Sequence, residues 1–263
     1  MRLKLYQVDA FTNQLFGGNP AAVVPLETWL SDELLQSIAS ENNLSETAYT
    51  VPIEDGFELR WFTPAAEVRL CGHATLATAY VFFNELDFSQ STIRFHTKSG
   101  WLSVKREDHF LLMDFPVDRL EQANEQLESI RAALQTDRIV ALYKGQDDYL
   151  AIAESQVILE QLQPDFRAVA QLNSRGLIVS AEGVASDFVS RCFFPQYGID
   201  EDPVTGSAHT TMTPYWAKRL QKQTLSARQL SKRTGELICT LEGDRVLLKG
   251  EARLYMKAEI FVG

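Results

Sequence analysis

Two short segments of the chain combine residue types that can bind an anion and move a proton. The first contains Cys71-Gly72-His73, the second contains Asp202 followed by Thr205-Gly206-Ser207, and the two glycines lie 134 positions apart. Each glycine opens a stretch that is predicted to be helical. The first N–H groups of a helix have no internal partner and carry partial positive charge, so a carboxylate or phosphate fits there. The repetition favours a binding site over two unrelated tight turns.

His73 and Asp202 can each be interpreted in two ways. His73 is either a donor to a substrate carboxylate or carbonyl, or a packing histidine at a helix start. Because a helix N-terminus lowers the pKa of a histidine, we expect a neutral imidazole. Asp202 either orients His73 or a polar group of the substrate, or it caps the helix that follows.

Two central helices must position these residues. The stretch from 74 to 83, opened by Gly72, is apolar nearly all round, which predicts a buried helix. The second helix is predicted from Ser207 to about Leu220. Pro214 lies inside it and should remove the hydrogen bond to the Thr210 carbonyl, so we expect this helix to kink or end there.

The remaining pattern is rich in strands. A helix is predicted after Ser31, which is a plausible N-cap, and a surface helix over 120–134 follows a linker at 115–118. A further short helix is predicted over 166–172. Strands are predicted at 3–8, 47–51, 57–62, 93–96, 101–105, 110–115, 176–179, 191–194, 237–240, 246–249 and 254–262.

The chain also repeats itself. Four pairs of segments match in the same order at offsets from 131 to 136, and they begin at Arg60 and Arg191, Gly72 and Gly206, Ser99 and Thr234, and Phe110 and Val246. The repeat predicts two similar halves, each a strand-rich sheet around one buried helix. We place the first half at 1–116, completed by a C-terminal strand at 251–263, and the second at 117–250.

Composition narrows the classes of function. The chain has 263 residues, of which 45% are hydrophobic, and a formal charge of −10. This is typical of a globular protein and disfavours general binding of nucleic acid, although small anions remain open as ligands. Three cysteines without zinc-binding spacing predict no metal site and suit a reducing cytoplasm. No signal peptide or membrane-spanning run is found, so we expect a cytoplasmic protein without membrane contact.

Five motifs carry a resemblance to a known family. They are GNPAAV at 18–23, NLSETAY at 43–49, RWFTP at 60–64, CGHAT at 71–75 and EDPVTGSA at 201–208. In this order they resemble the phenazine-biosynthesis PhzF-like isomerases, over residues 4–262. The resemblance implies an α+β fold of the diaminopimelate epimerase type. In that fold two pseudo-symmetric halves each wrap a mostly antiparallel sheet around a central helix, with the active site in the cleft between them.

The resemblance also implies roles for single residues. Glu46 falls on the proton shuttle of the family, and His73 and Asp202 fall on its other catalytic positions. The substrate-binding positions are Asn19, Gly72, Thr205, Gly206 and Ser207. The implied reaction is cofactor-free proton transfer at carbon in a small carboxylic acid, with no metal. A glutamate in water is too weak a base to remove a proton from a C–H bond, so burial must increase the basicity of Glu46.

Two alternatives remain open. Epimerases and racemases of this fold use two opposed thiols, and Cys71 stands at the first thiol position while Thr205 stands at the second. Because a hydroxyl cannot replace a thiolate, two-thiol racemisation is disfavoured. The other alternative is a protein that binds a small anion without turnover. We expect a small-molecule carboxylate as the ligand and keep a homodimer open as the assembly.

Overall fold

The computed structural model describes all 263 residues, and its architecture is mixed α+β. The strands are β1 (Arg2–Ala10), β2 (Asn19–Pro25), β3 (Glu46–Ile53), β4 (Gly56–Phe62), β5 (Glu67–Val68), β6 (Thr92–Thr97), β7 (Gly100–Glu107), β8 (Phe110–Pro116), β9 (Glu121–Gln122), β10 (Ile139–Lys144), β11 (Asp148–Ala153), β12 (Gly176–Glu182), β13 (Phe188–Phe194), β14 (Ile199–Asp202), β15 (Thr224–Gln229), β16 (Gly235–Glu242), β17 (Arg245–Gly250) and β18 (Ala252–Phe261). The helices are α1 (Asp32–Asn42), α2 (Gly72–Glu85), α3 (Leu127–Leu134), α4 (Gln156–Gln161), α5 (Phe166–Ala170) and α6 (Gly206–Leu220). None of these helices has the length and apolar character needed to cross a bilayer.

The chain divides into two compact units. The first unit comprises Met1–Asp114 and Lys249–Gly263, and the second unit comprises Phe115–Leu248. The last strand, β18, belongs to the first unit because it pairs antiparallel with β1 over the whole length of β1.

The two units repeat one scheme of strand pairing. In the first unit β1–β2 is antiparallel, β2–β3 parallel, β3–β4 and β4–β5 antiparallel, β4–β6 parallel and β6–β7 antiparallel. In the second unit β10–β11, β11–β12, β12–β13, β13–β14, β13–β15 and β15–β16 follow the same order of directions. The four matching sequence segments fall on corresponding elements, so the predicted fold of two pseudo-symmetric halves is confirmed.

A central helix belongs to each unit. In α2, ten of fourteen residues are buried, in agreement with its apolar sequence. Of the two outcomes expected at Pro214, a kink or an end of the second helix, the end does not occur, because α6 continues to Leu220. Proline removes one helical N–H, but the backbone N–H of Asp118 donates to the Thr210 carbonyl at 3.3 Å and supplies the missing partner.

The predicted surface helix over 120–134 is also wrong in its first part. Glu121–Gln122 forms β9, which pairs with β10, and the N–H of Ala123 donates to the Leu142 carbonyl at 3.1 Å. Because this segment is bonded to a strand, the α-helix begins only at Leu127. The predicted N-cap Ser31 is confirmed, since its hydroxyl accepts from the N–H of Leu34 at 3.3 Å.

A duplicated ion pair precedes each central helix. Arg60 on β4 holds Glu67 on β5 through Nε at 2.8 Å and Nη2 at 2.8 Å. Arg191 on β13 holds Glu201 on β14 through the same two nitrogens, at 2.7 and 2.9 Å. Each glutamate stands five residues before the first residue of the helix. Bidentate pairs of this kind restrict the geometry as well as contributing energy. They therefore hold the segment that leads into each helix in place.

Candidate active site

The first unit brings Glu46 and His73 together. Glu46 is the first residue of β3, and His73 is the second residue of α2. Glu46 Oε2 lies 3.0 Å from His73 Nε2, and their side chains are 12% and 6% exposed. These two atoms form no hydrogen bond of good geometry, so the contact is a close approach of a carboxyl oxygen to a ring nitrogen. A carboxylate nearly withdrawn from water beside an imidazole can accept and return protons.

The opposite edge of the His73 ring has two further neighbours. Asn19, fully buried at the start of β2, places Nδ2 at 3.2 Å from His73 Nδ1. Cys71 Sγ lies 3.5 Å from the same nitrogen. Gly18 precedes Asn19 with φ +62°, and a Cβ there would lie 2.1 Å from the Ala10 carbonyl oxygen, so the turn that delivers Asn19 requires glycine. Asn19 therefore holds the ring of His73.

The surroundings of His73 oppose the expectation of a neutral ring. Burial by itself lowers the pKa of His73, but Cys71 when it is ionised and the carboxylate of Glu46 outweigh this and raise the pKa above 6.5. The start of α2 has a weaker effect on the pKa of His73 than the carboxylate of Glu46, which lies 3.0 Å away. Burial, assisted by the charge of Glu46, raises the pKa of the Cys71 thiol to about 11. Cys71 is therefore a thiol at neutral pH, and His73 is paired with Glu46.

The same cluster contains residue types that bind metals. One ligand atom each of Glu46, Cys71 and His73 lies within 4.8 Å of the others, a grouping that the sequence spacing does not suggest. Sulfur, nitrogen and oxygen donors suit zinc. However, Glu46 faces Nε2 and Cys71 faces Nδ1, while one ion takes a single ring nitrogen. The geometry therefore fits a chain of proton-exchanging groups better than a metal site.

The second unit gathers the residues of the EDPVTGSA motif. Asp202 ends β14, and its carboxylate accepts a hydrogen bond from the hydroxyl of Thr205, the N-cap of α6. Gln229, at the end of β15 and fully buried, donates to the Asp202 carbonyl at 2.8 Å and accepts from the N–H of Thr205 at 2.8 Å. The loop before Gly206 is thus fixed at both ends by one side chain.

Ser207 follows Gly206 in the first turn of α6. Its hydroxyl lies 3.2 Å from Arg175 Nη2. The Arg175 guanidinium also donates through Nε to Asp148 at 3.0 Å, and Asp148 is only 2% exposed. A buried carboxylate keeps an arginine fork in one orientation.

His209 is the packing histidine that its position suggests. Its Nδ1–H donates to the Thr205 carbonyl at 2.8 Å, and the ring is fully buried. Burial lowers the pKa of His209 to about 4. In the first unit the corresponding residue is Thr75, whose hydroxyl donates to the Cys71 carbonyl at 2.6 Å. Both residues support the helix start.

The structure thus places the predicted site residues in two groups. Asn19, Glu46, Gly72 and His73 lie together in the first unit, and Asp202, Thr205, Gly206 and Ser207 lie together in the second. Sequence reasoning missed Gln229 and Arg175. The alternation of Leu225, Ala227 and Gln229 on one face of β15 could have indicated a buried glutamine.

Comparisons with known proteins show the family and the fold of the chain. The model of the family described as phenazine biosynthesis-like protein matches residues 8–258. A protein of Pseudomonas aeruginosa named an uncharacterized isomerase is 49% identical over 260 residues, which cover 99% of both chains. The crystal structure of a PhzF-family protein from Enterococcus faecalis has a TM-score of 0.94 and 44% identity, with full coverage of both chains. A hydroxyproline epimerase from Agrobacterium vitis shares the fold at 9% identity, with a TM-score of 0.61 and coverage of 98% and 92%.

The fold defines a protein of the diaminopimelate epimerase-like class, in which the racemase and epimerase structures also fall. The chain belongs to the phenazine biosynthesis-like, or PhzF, family. Its curated relatives at 45–49% identity are named isomerases, and the chain is classed with them.

Proposed function

We propose that the protein is a cofactor-independent isomerase that moves a proton at carbon in a small carboxylic acid, with Glu46 as the acid and base. The observation that carries the proposal is the nearly buried contact of 3.0 Å between Glu46 Oε2 and His73 Nε2. The carboxylate is held beside an imidazole with little exposure to water, which is a suitable position for proton transfer. The same carboxyl can take a proton from one carbon and deliver it to another.

His73 supports this role from the other side of the pair. Its ring is held by Asn19 at Nδ1 and presents Nε2 to Glu46. The imidazole therefore limits the orientations of the carboxylate, and fixed orientation is a substantial part of catalysis by positioned groups. The names of the relatives at 45–49% identity support an isomerase reaction in the same family.

The proposal is tested by exchange with solvent deuterium. A panel of small unsaturated carboxylic acids is incubated with the protein in D₂O, and incorporation is followed by NMR. Glu46→Gln keeps the size of the side chain but cannot accept a proton, so we expect exchange to fall by at least about 10³-fold. Ligand affinity should change less than about tenfold, because the lost interaction acts mainly in the transition state.

Glu54→Gln is the matched control, since Glu54 is an exposed glutamate of the same unit. It should leave the exchange rate unchanged. Full activity of Glu46→Gln would remove the glutamate mechanism. Tight binding without exchange by the unaltered protein would instead favour the non-catalytic alternative.

We further propose that Asp202 serves substrate binding as well as rate. Asp202→Asn weakens the acceptor for the Thr205 hydroxyl and removes a negative charge beside the start of α6. The expected result is a higher Kd together with slower exchange, in contrast to Glu46→Gln. An unchanged Kd would restrict Asp202 to its capping role.

The two-thiol racemase has less support. The pKa of Cys71 is raised to about 11, and the Thr205 hydroxyl is occupied as a donor to Asp202. Neither group is an available base at neutral pH. Isomerisation and racemisation are distinguished by incubating the protein with both enantiomers of an amino or hydroxy acid and measuring exchange at the α-carbon.

A further inference from the structure

The internal repeat places Arg175 beside the counterpart of Glu46. Thr47 pairs with Phe62 in the first unit, and Leu177 pairs with Phe193 in the second. Because Phe62 and Phe193 are matched residues of the repeat, Gly176 corresponds to Glu46. Arg175 is the residue immediately before it.

The contacts of Glu46 and Arg175 are similar, although the two residues are offset by one position in the repeat. Glu46 touches His73, the second residue of α2, and Arg175 touches Ser207, the second residue of α6. The first unit thus has an acid and an imidazole at this place, while the second unit has a guanidinium and a hydroxyl. An acid and an imidazole can exchange a proton, whereas a guanidinium and a hydroxyl can bind a carboxylate.

We propose that Arg175, together with Ser207, binds the carboxylate of the small-molecule substrate. This rests on the proposed function for the class of substrate. Arg175 lines an open cavity of about 730 Å³, whose wall also includes Lys144 and Asp147. Its contacts with Asp148 and Ser207 use Nε and Nη2 and leave Nη1 for a ligand. The guanidinium also lies over the ring of Phe194, 5.4 Å from its centroid.

The charges around Arg175 favour a monoanion. Lys144 and Arg175 contribute two positive charges, and two negative ones come from Asp147 in the cavity wall and from Asp148, which pairs with Arg175. A phosphate dianion would meet this balanced set of charges at a disadvantage, whereas a single carboxylate can be bound by the one guanidinium nitrogen, Nη1, that Asp148 and Ser207 do not use. The ammonium of Lys144 donates to the Asp147 carbonyl at 2.8 Å, and burial lowers the pKa of Lys144.

The variant must remove the charge of Arg175 without leaving Asp148 buried and unpaired, because such a loss alone can cost several kcal/mol of stability. The double variant Arg175→Met/Asp148→Asn satisfies this condition, and Arg175→Lys retains the charge without the fork. Arg138→Met is the control, since Arg138 forms an exposed pair with Glu154 in the same unit. Thermal melting of each variant verifies that it is folded.

The probes are trans-2-butenoate and its uncharged amide, titrated by NMR up to about 10 mM, a range that detects weak binding. We expect the unaltered protein and Arg138→Met to bind the acid at least about tenfold more tightly than the amide, a ratio that corresponds to one charged contact. The double variant should lose this preference, and Arg175→Lys should retain part of it.

An unaltered preference in the folded double variant would overturn the proposal, as would the absence of any preference or binding in the unaltered protein. The outcome is independent of the Glu46 mechanism. If Glu46→Gln still exchanged protons while the double variant lost the preference, the glutamate mechanism would fail and the carboxylate site would stand.

Discussion

His73 has polar neighbours at both of its ring nitrogens, and this is the residue-scale basis of the site. Asn19 and Cys71 occupy one edge and Glu46 the other. An imidazole between a carboxylate and two polar groups has little freedom to rotate. Its protonation is therefore coupled to the state of Glu46.

This coupling predicts a measurable change in the titration of His73. Cys71 and the carboxylate of Glu46 together raise the pKa of His73 above 6.5, so Glu46→Gln should lower that pKa. The measurement is an NMR pH titration of the histidine ring signals, with Glu54→Gln as the control. An unchanged His73 titration in Glu46→Gln would show that the two groups are not coupled.

Sequence alone locates Glu46, His73 and Asp202 through their motifs, but it does not reveal their partners. Gln229 lies 24 residues after Thr205, and its role depends on where β15 ends. Arg175 acquires its significance from strand register, which places it beside the counterpart of Glu46. Interactions of this kind are set by pairing between distant segments, and no local pattern contains them.

At the scale of elements, α6 shows how an unfavourable residue is accommodated. Pro214 lies in its interior, and the N–H of Asp118 occupies the carbonyl that proline leaves without a helical donor. Asp118 is fixed in turn, because its carboxylate accepts from the Thr211 hydroxyl at 2.8 Å. The proline is therefore part of a tertiary contact.

Pro214→Ala tests this compensation. In an isolated helix the change from proline to alanine is favourable by about 3 kcal/mol. Here the new N–H would compete with Asp118 for one carbonyl, so we expect a gain in unfolding free energy of less than about 1 kcal/mol. Urea unfolding measures the difference. A gain near 3 kcal/mol would show that the Asp118 hydrogen bond does not compensate for the N–H that Pro214 lacks.

The strands that sequence reasoning missed include β11 and β15. All six residues of β11 are buried, whereas burial alternates along β15, as it nearly does along β16, which was predicted in part. A strand buried on both faces shows no alternation, and its pattern resembles a buried helix. For the segment 120–134 the apolar spacing suited a helix, but pairing with β10 prevailed over its first part.

At the scale of the whole molecule, duplication preserved the framework while the chemistry diverged. The Arg60–Glu67 and Arg191–Glu201 pairs are retained, each five residues before a central helix. The residues at the helix starts differ, with Cys71 and His73 in one unit and Thr205 and Ser207 in the other. This divergence explains why the sequence repeat is clear in the segments that form the framework and weak at the residues that carry the chemistry.

The stability of the molecule should depend on pH with opposite signs for its two buried histidines. His209 has a folded pKa of about 4 against 6.5 when unfolded, so the unfolded chain binds more protons between these values. Stability should fall as pH is lowered from about 6.5 to 4, by up to about 3 kcal/mol from this residue. His73, whose pKa is raised, stabilises the fold below 6.5 and loses this contribution as pH rises through its folded pKa.

His209→Thr isolates the acid branch, because threonine is the residue that the first unit uses at this place. The variant will lose some stability at every pH through the smaller side chain. The quantity to compare is the slope of the unfolding free energy against pH. Between pH 6.5 and 4 this free energy should decline less steeply for the variant than for the unaltered protein, because the variant takes up one proton fewer on unfolding. Urea unfolding at several pH values measures both curves. Parallel curves would mean that His209 is protonated in the folded protein, which would contradict its burial among apolar groups with a single backbone partner.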